Sequence, residues 1–228
     1  MQFNIDLSLL SRASKLLAEH KRIYWVLGGA GSGKTTICKA LAEQHSLPFY
    51  DMDAHIYGAY HKRFEEMRHP VNTAWHNAEN GMAWLLNMDW EEFDNFHRAA
   101  LPEYLDLLVE DIEKRDKNET MLIDGGVWHP ALLAKAFPSE QMVCLATFES
   151  SQDVWEGNPE RYAMKDIFGS FPDPEASWHK FLDFDTRITT TIAEEAQLAG
   201  TTLLQRTKTD SVESLALAVS KTLGLSET

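Results

Sequence analysis

The sequence predicts an α/β protein: a five-stranded parallel sheet with helices on both faces. Three observations carry that expectation. Residues 26–36, VLGGAGSGKTT, set a glycine-rich turn between an apolar run and a helical pattern. Four further short apolar runs follow, separated by stretches of helical spacing. The chain then closes on an amphipathic segment, SVESLALAVSKTLGL. Strands that alternate with helical stretches pair in parallel, because each return to the same edge of the sheet needs a crossover long enough to hold a helix.

The elements follow in order. Leu7, Leu10, Leu17 and Ala18 fall near one face of residues 7–20, which predicts a leading helix. The first strand, 23–27, feeds the glycine loop, and the helix after it runs to about Gln44. SLPFYDMDAH at 46–55 reads as a turn and a second strand ending in Asp51 and Asp53. From Ile56 to Glu119 the pattern is mostly helical. Leu101, Tyr104, Leu105, Leu108, Val109 and Ile112 recur at helical intervals, with Pro102 in the first turn, where a missing N–H is harmless. ETMLIDGG at 119–126 is the third strand. MVCLATFE at 142–149 is the fourth, apolar enough for burial on both faces. TTLLQRT at 201–207 is the fifth. No repeat or low-complexity linker interrupts the chain. The sequence therefore predicts one domain over 1–228, with excursions at 56–118, mostly helical, and at 151–185.

Composition narrows the function classes. The 228 residues are 44% hydrophobic and 25% charged, ordinary values for a globular chain. Net charge is −14, which repels nucleic acid at long range, and the longest basic stretch is HKR, at 20–22 and again at 61–63. A polynucleotide partner is not expected. No apolar run is long enough to cross a membrane, and MQFNIDLSLLSRASK lacks the basic start and apolar run of a secretory leader. The expected setting is the cytoplasm, as a monomer or homodimer, with Cys38 and Cys144 as buried, reduced thiols.

Gly28, Gly33, Lys34 and Thr35 satisfy G-x-x-x-x-G-K-[ST], the Walker A pattern of a phosphate-binding loop, between a strand and a helix. Backbone N–H groups of Gly28, Gly29, Ala30, Gly31, Ser32 and Gly33 can converge on phosphate oxygens, and the helix start adds its positive end. Lys34 can reach the β- and γ-phosphates; the Thr35 hydroxyl suits Mg²⁺, with Thr36 beside it. Ligands of open parallel sheets bind beyond the carboxyl ends of the strands, where Asp51, Asp53 and Asp124 all fall. D-x-D alternation sends both side chains to one side of an extended segment. A carboxylate there either orients Mg²⁺ or takes a proton from an attacking hydroxyl; the competing reading is an aspartate that caps a turn or helix.

GGAGSGKTT, FYDMDAHI and MLIDGG together resemble the shikimate kinase and gluconate kinase group of P-loop small-molecule kinases. WEEFDNFHRAAL at 90–101 is loosely similar to that group's G-E-x-x-F-R helix, and TKTDSVESLALAV to its last strand and helix. The resemblance implies ATP and Mg²⁺ on the loop, Asp51 helping to hold the metal and Asp53 meeting the substrate hydroxyl. It places Arg98, Gly125 and Gly126 at the substrate and Lys208 in the loop beside adenine. Departures are visible. Val127 replaces the third glycine of the family's turn, only Arg98 and Arg63 could serve as carboxylate-binding arginines, and the 56–118 excursion is long.

In the second excursion Arg161 is the lid arginine expected to neutralise the moving phosphoryl group, with Arg187 a second candidate. In the first, Trp75, Trp84, Trp90, Phe93 and Phe96 read either as core or as a pocket for a neutral, polyhydroxylated or amine-bearing molecule. His55, His61, His76 and His97 form no zinc pattern, and His55 lies nearest the expected chemistry. The expected function is an ATP-dependent kinase acting on a hydroxyl of a small metabolite, with Lys34, Asp53 and Arg161 as catalytic residues. A nucleoside or nucleotide kinase is the alternative within the same chemistry. A GTPase-like or non-catalytic nucleotide binder is the alternative outside it; TKTD at 207–210 superficially matches N-K-x-D, but D-x-x-G is absent after the third strand.

Overall fold

The structure, a computed structural model, describes residues 2–225. Five parallel strands, β1 (Ile23–Gly28), β2 (Phe49–Asp51), β3 (Met121–Asp124), β4 (Met142–Ala146) and β5 (Thr202–Gln205), lie in the order β2-β3-β1-β4-β5. The predicted five-stranded parallel sheet is thus the one observed. Alternation along each strand divides the side chains between two cores. Val26, Leu122, Val143 and Leu145 pack with Ile37, Leu41, Leu215 and Val219 on one face. Trp25, Leu27, Ile123 and Cys144 enter the larger core on the other. Both faces are covered, as short parallel strands of unbroken apolar sequence require.

The helices are α1 (Leu7–Leu17), α2 (Lys34–His45), α3 (Met52–Ile56), α4 (Pro70–His76), α5 (Gly81–Leu86) and α6 (Trp90–Ile112) in the first half. The second half holds α7 (Pro130–Leu133), α8 (Ser151–Glu156), α9 (Pro159–Tyr162), α10 (Pro174–Leu198) and α11 (Val212–Leu223). The leading helix is shorter than expected. Its core face is Leu10, Ala13 and Leu17, while Leu7 and Ala18 are exposed, so the spacing was right and its phase was not.

Two expectations are corrected by local chemistry. Pro102 lies inside α6, which begins earlier at an Asp89 capping box: Asp89 accepts from the Glu92 N–H at 2.9 Å and the Glu92 side chain returns to the Asp89 N–H at 3.3 Å. Pro102 offers no N–H to the Arg98 carbonyl, yet the surrounding packing holds the helix together: Ala99 to Val109 are buried all round, against α1 and α4. That burial explains two acids inside the helix. Glu103 accepts from the Val71 and Asn72 N–H groups at 2.9 and 2.8 Å, capping the start of α4. Asp106 is answered by Arg12, Arg68 and His69. Secondly, β2 stops at Asp51. Asp53 therefore lies in the first turn of α3 and not on an extended strand beside Asp51.

Among the described residues no helix is long and apolar enough to cross a membrane. Cys38 and Cys144 are free and buried. Asp89→Ala removes one acceptor from the exposed start of α6 and should destabilise the protein by about 1 kcal/mol. A urea denaturation midpoint lowered with unchanged slope is the expected reading.

Candidate active site

The sheet register decides which polar groups meet. Asp51 and Asp124 are direct partners on β2 and β3, and Asp124 is level with Val26 on β1, just short of the glycine loop. Gly33 caps α2 at φ 88°, a left-handed conformation open to glycine, and uses no side chain to do so. The first-turn N–H groups of α2 therefore stay available to an anion.

The acids then take different parts. Asp51 caps α3, accepting from the Ala54 N–H at 2.9 Å, so the capping reading holds for one of its oxygens. Asp53 accepts from the Gly126 N–H at 3.1 Å through Oδ1, and its Oδ2 lies 3.8 Å from Lys34 Nζ. Burial pushes its carboxyl above the usual range; Lys34 opposes that shift and neighbouring Asp51 adds to it. Asp124 is 1% exposed, and burial pushes it up to about 6 despite the favourable Thr35 hydroxyl and Lys34 charge. Its Oδ1 is buried with no hydrogen-bond partner. The glycine turn after β3 completes the junction. Gly125 is left-handed at φ 69°, its carbonyl accepts from Trp25 Nε1 at 2.9 Å, and a Cβ there would stand 2.5 Å from Asp53 Oδ2.

Two cavities border the glycine loop. A polar groove of about 990 Å³ runs past Gly31, Gly33 and Thr36 to Arg206 and Lys208. Arg206 donates to the Gly31 carbonyl at 2.8 Å, and Lys208 lies 5.6 Å from the Phe148 ring centre. A second cavity of about 590 Å³ is walled by Gly28, Gly29, Ala30, Lys34 and Thr35 on one side and by Asp53 and Gly126 on another. Arg161 lines both cavities, 5.6 Å over the Trp155 ring. Ser32 is buried beside the loop.

Other expected residues lie elsewhere. Arg98 is held by Asp94 and Glu195, each at 2.6 Å, and lines neither cavity, which departs from the substrate-binding place expected of it. Helix α6 turns Arg98 toward α10, where an acid awaits it. Arg63 is likewise occupied, by Asp111 at 2.8 Å and Glu110 at 3.0 Å. Arg187 pairs with Asp183 at 3.0 Å, outside both cavities. Trp84, Trp90 and Phe96 pack in the core, whereas Trp75 and Phe93 do both jobs, packing there and facing the second cavity. His55 stacks on Tyr50 at 3.9 Å and stays out of the chemistry.

Sequence reasoning missed Asp185, a buried carboxylate of α10 that lines the second cavity within electrostatic reach of Arg161 and Lys34. The signal was present: Trp178, Leu182, Asp185 and Ile192 share a buried helical stripe, and the acid interrupts it. It also missed Trp128 and Arg206, which no pattern marked.

Among the described residues no group of three His, Cys, Asp or Glu side chains is arranged to hold a metal by itself. The site nonetheless suits Mg²⁺, which takes one or two protein ligands and completes its shell with phosphate and water. Thr35 beside the orphaned Asp124 Oδ1 offers that set.

These features define the architecture of a P-loop kinase fold. The family model described as shikimate kinase matches residues 30–70, from within the loop through Asp51 and Asp53, so the resemblance read from the sequence holds there. Solved structures align with the chain. TT1252 from Thermus thermophilus is 21% identical, with a TM-score of 0.51 over 92% of this chain and 100% of that one. A shikimate kinase from Bacteroides thetaiotaomicron is 16% identical, with a TM-score of 0.47 over 89% and 98%. A shikimate kinase from Acinetobacter baumannii, in complex with shikimate, is 15% identical, with a TM-score of 0.44 over 93% and 99%. No curated protein matches the chain.

The site's back wall has a pH signature. His97 lies 3.8 Å from the Trp128 ring centre, and burial, then the His129 charge, holds its pKa well below the ordinary value. A histidine depressed in the fold contributes stability that is present above its unfolded value of about 6.5 and lost as pH falls below it. His97→Phe should therefore lose less stability than wild type between pH 7 and pH 5, measured as paired urea midpoints.

Proposed function

We propose that the protein is an ATP-dependent phosphotransferase that moves the γ-phosphoryl group to a hydroxyl of a small metabolite. The observation that carries this reading is the loop itself, which borders two cavities and holds Lys34 beside Asp53 on the wall of the second. One cavity takes the nucleotide and the other takes the acceptor. Arg206 and Lys208, gathered around Phe148, fit the base end of the groove.

The acceptor oxygen bonds to the γ-phosphorus while the bond to the bridging oxygen breaks and its electron pair leaves with ADP. The hydroxyl proton passes to Asp53, whose carboxyl is already raised by burial and fixed in place by Gly126. Lys34 and Arg161 hold charge on the transferring group from two sides, and the aromatic walls keep water out. Thr35 and Asp124, with Asp51 behind them, are the residues that would hold Mg²⁺, which when bound spreads the phosphate charge. Positioning and charge stabilisation supply most of the rate in phosphoryl transfer, and this arrangement offers both.

ADP release measured against sugars, sugar acids, nucleosides and aryl alcohols tests the reading. Lys34→Ala should abolish turnover of whichever acceptor responds. Asp53→Asn should lower kcat by about 10²- to 10⁴-fold, the usual worth of a general base, and leave binding of an ATP analogue nearly unchanged. Full activity in either variant would overturn the assignment.

A further inference from the structure

The acceptor cavity has a chemistry of its own, and the inference drawn from it rests on the kinase reading for the reacting hydroxyl. Trp75, Met82, Leu85, Phe93, Trp128 and Phe184 face the space beyond Asp53. Among the described residues, Lys34 and Arg161 are the cations on its wall, and both stand at the phosphate end. The arginines that could have reached its far end are spoken for. Arg98 is clamped by Asp94 and Glu195, Arg63 by Glu110 and Asp111, and Arg68 by Asp106 at 2.6 Å and Glu110 at 2.5 Å. An anionic group on the acceptor would lose part of its water among rings with no counter-ion, a cost that nothing on this wall offsets.

A cation fares no better. Asp53 and Asp185 are the acids on the wall, and both lie within the field of Lys34, with Arg161 also close to Asp185. Asp53 sits 3.8 Å from Lys34 and Asp185 lies in the field of Arg161 and Lys34, so among the described residues no carboxylate on the wall is far from a cation. What the rest of the wall offers is weaker. A recess of about 20 Å³, room for one water-sized group, shares Asp53, Tyr57 and Trp128 with the cavity. Trp75 and His97 line it, and each carries a buried ring nitrogen, Nε1 and Nε2 respectively, without a hydrogen-bond partner. Buried polar atoms left unpaired are costly, and a neutral polar group on a ligand would satisfy them.

We propose that the acceptor is an uncharged, ring-bearing alcohol, largely apolar, with one further neutral polar group. A carboxylate-bearing or ammonium-bearing acceptor is excluded by the same wall. In the transfer step the acceptor hydroxyl gains the phosphoryl group, ADP departs with the broken bond's electrons, and Asp53 receives the proton.

A matched series tests this: 2-(4-hydroxyphenyl)ethanol, 2-phenylethanol, 4-(2-hydroxyethyl)benzoate and 4-(2-hydroxyethyl)benzylamine. Each is titrated calorimetrically into the full-length protein with a non-hydrolysable ATP analogue and Mg²⁺, and ADP release with ATP is followed separately. Expected is binding of the two neutral members at least ten-fold tighter than the anion or the cation, with the phenol tighter than its parent. Met82→Arg, at the cavity wall, should reverse the order in favour of the benzoate. Equal or tighter binding of either charged member, or binding of none, overturns the acceptor class. Neutral members that bind without ADP release would leave the class standing and strike only at the kinase reading; turnover confined to the benzoate would do the opposite.

Discussion

A half-buried carboxylate beside an amine is the constraint on which this site is built. Asp53 loses solvation at the wall of an apolar cavity, and Lys34 at 3.8 Å offsets part of that cost. Neither partner could hold the position alone. The lysine is fixed by the loop that opens α2, the aspartate by the first turn of α3, and the glycine turn after β3 donates the N–H that orients the carboxylate. Three separate crossovers converge there because β2, β3 and β1 are adjacent in the sheet, so their carboxyl ends share one edge. Gly125 has no side chain because that space belongs to Asp53 and Lys34.

Packing beneath the junction makes its polarity affordable in structural terms. Trp25 fills the core under β1 and sends its indole N–H to the Gly125 carbonyl, tying the turn to the centre of the sheet. Long helices α6 and α10 carry the acceptor side. Each has a buried apolar stripe broken by acids, three of which are answered: Glu103 by the start of α4, Asp106 by Arg12, Arg68 and His69, Glu195 by Arg98 and His129. The same pairing that stabilises this scaffold removes arginines from the cavity.

Much of this was legible in the residues. The glycine loop, five apolar runs and their order announce the parallel sheet, because local pattern and global topology agree at every strand. Lys34 and Asp53 were legible through motif spacing. The geometry between them was not, since D-x-D reads as extended alternation until Asp51 is seen to cap a helix. Arg98 failed for a related reason: a helix fixes spacing along its axis, while the direction in which a residue faces depends on tertiary partners such as Glu195. Asp185 lay hidden in an apolar stripe, and Pro102 misled because tertiary burial of α6 outweighs the local penalty of proline.

The most direct measurement is a ¹³C NMR titration of the Asp53 carboxyl in the wild type and in Lys34→Met. Removing the neighbouring cation leaves the desolvated charge unanswered, so the Asp53 pKa, already raised, should rise further in the variant. An unchanged or lower value would mean that the amine and the carboxylate do not share one site, and the phosphotransfer account would lose its centre.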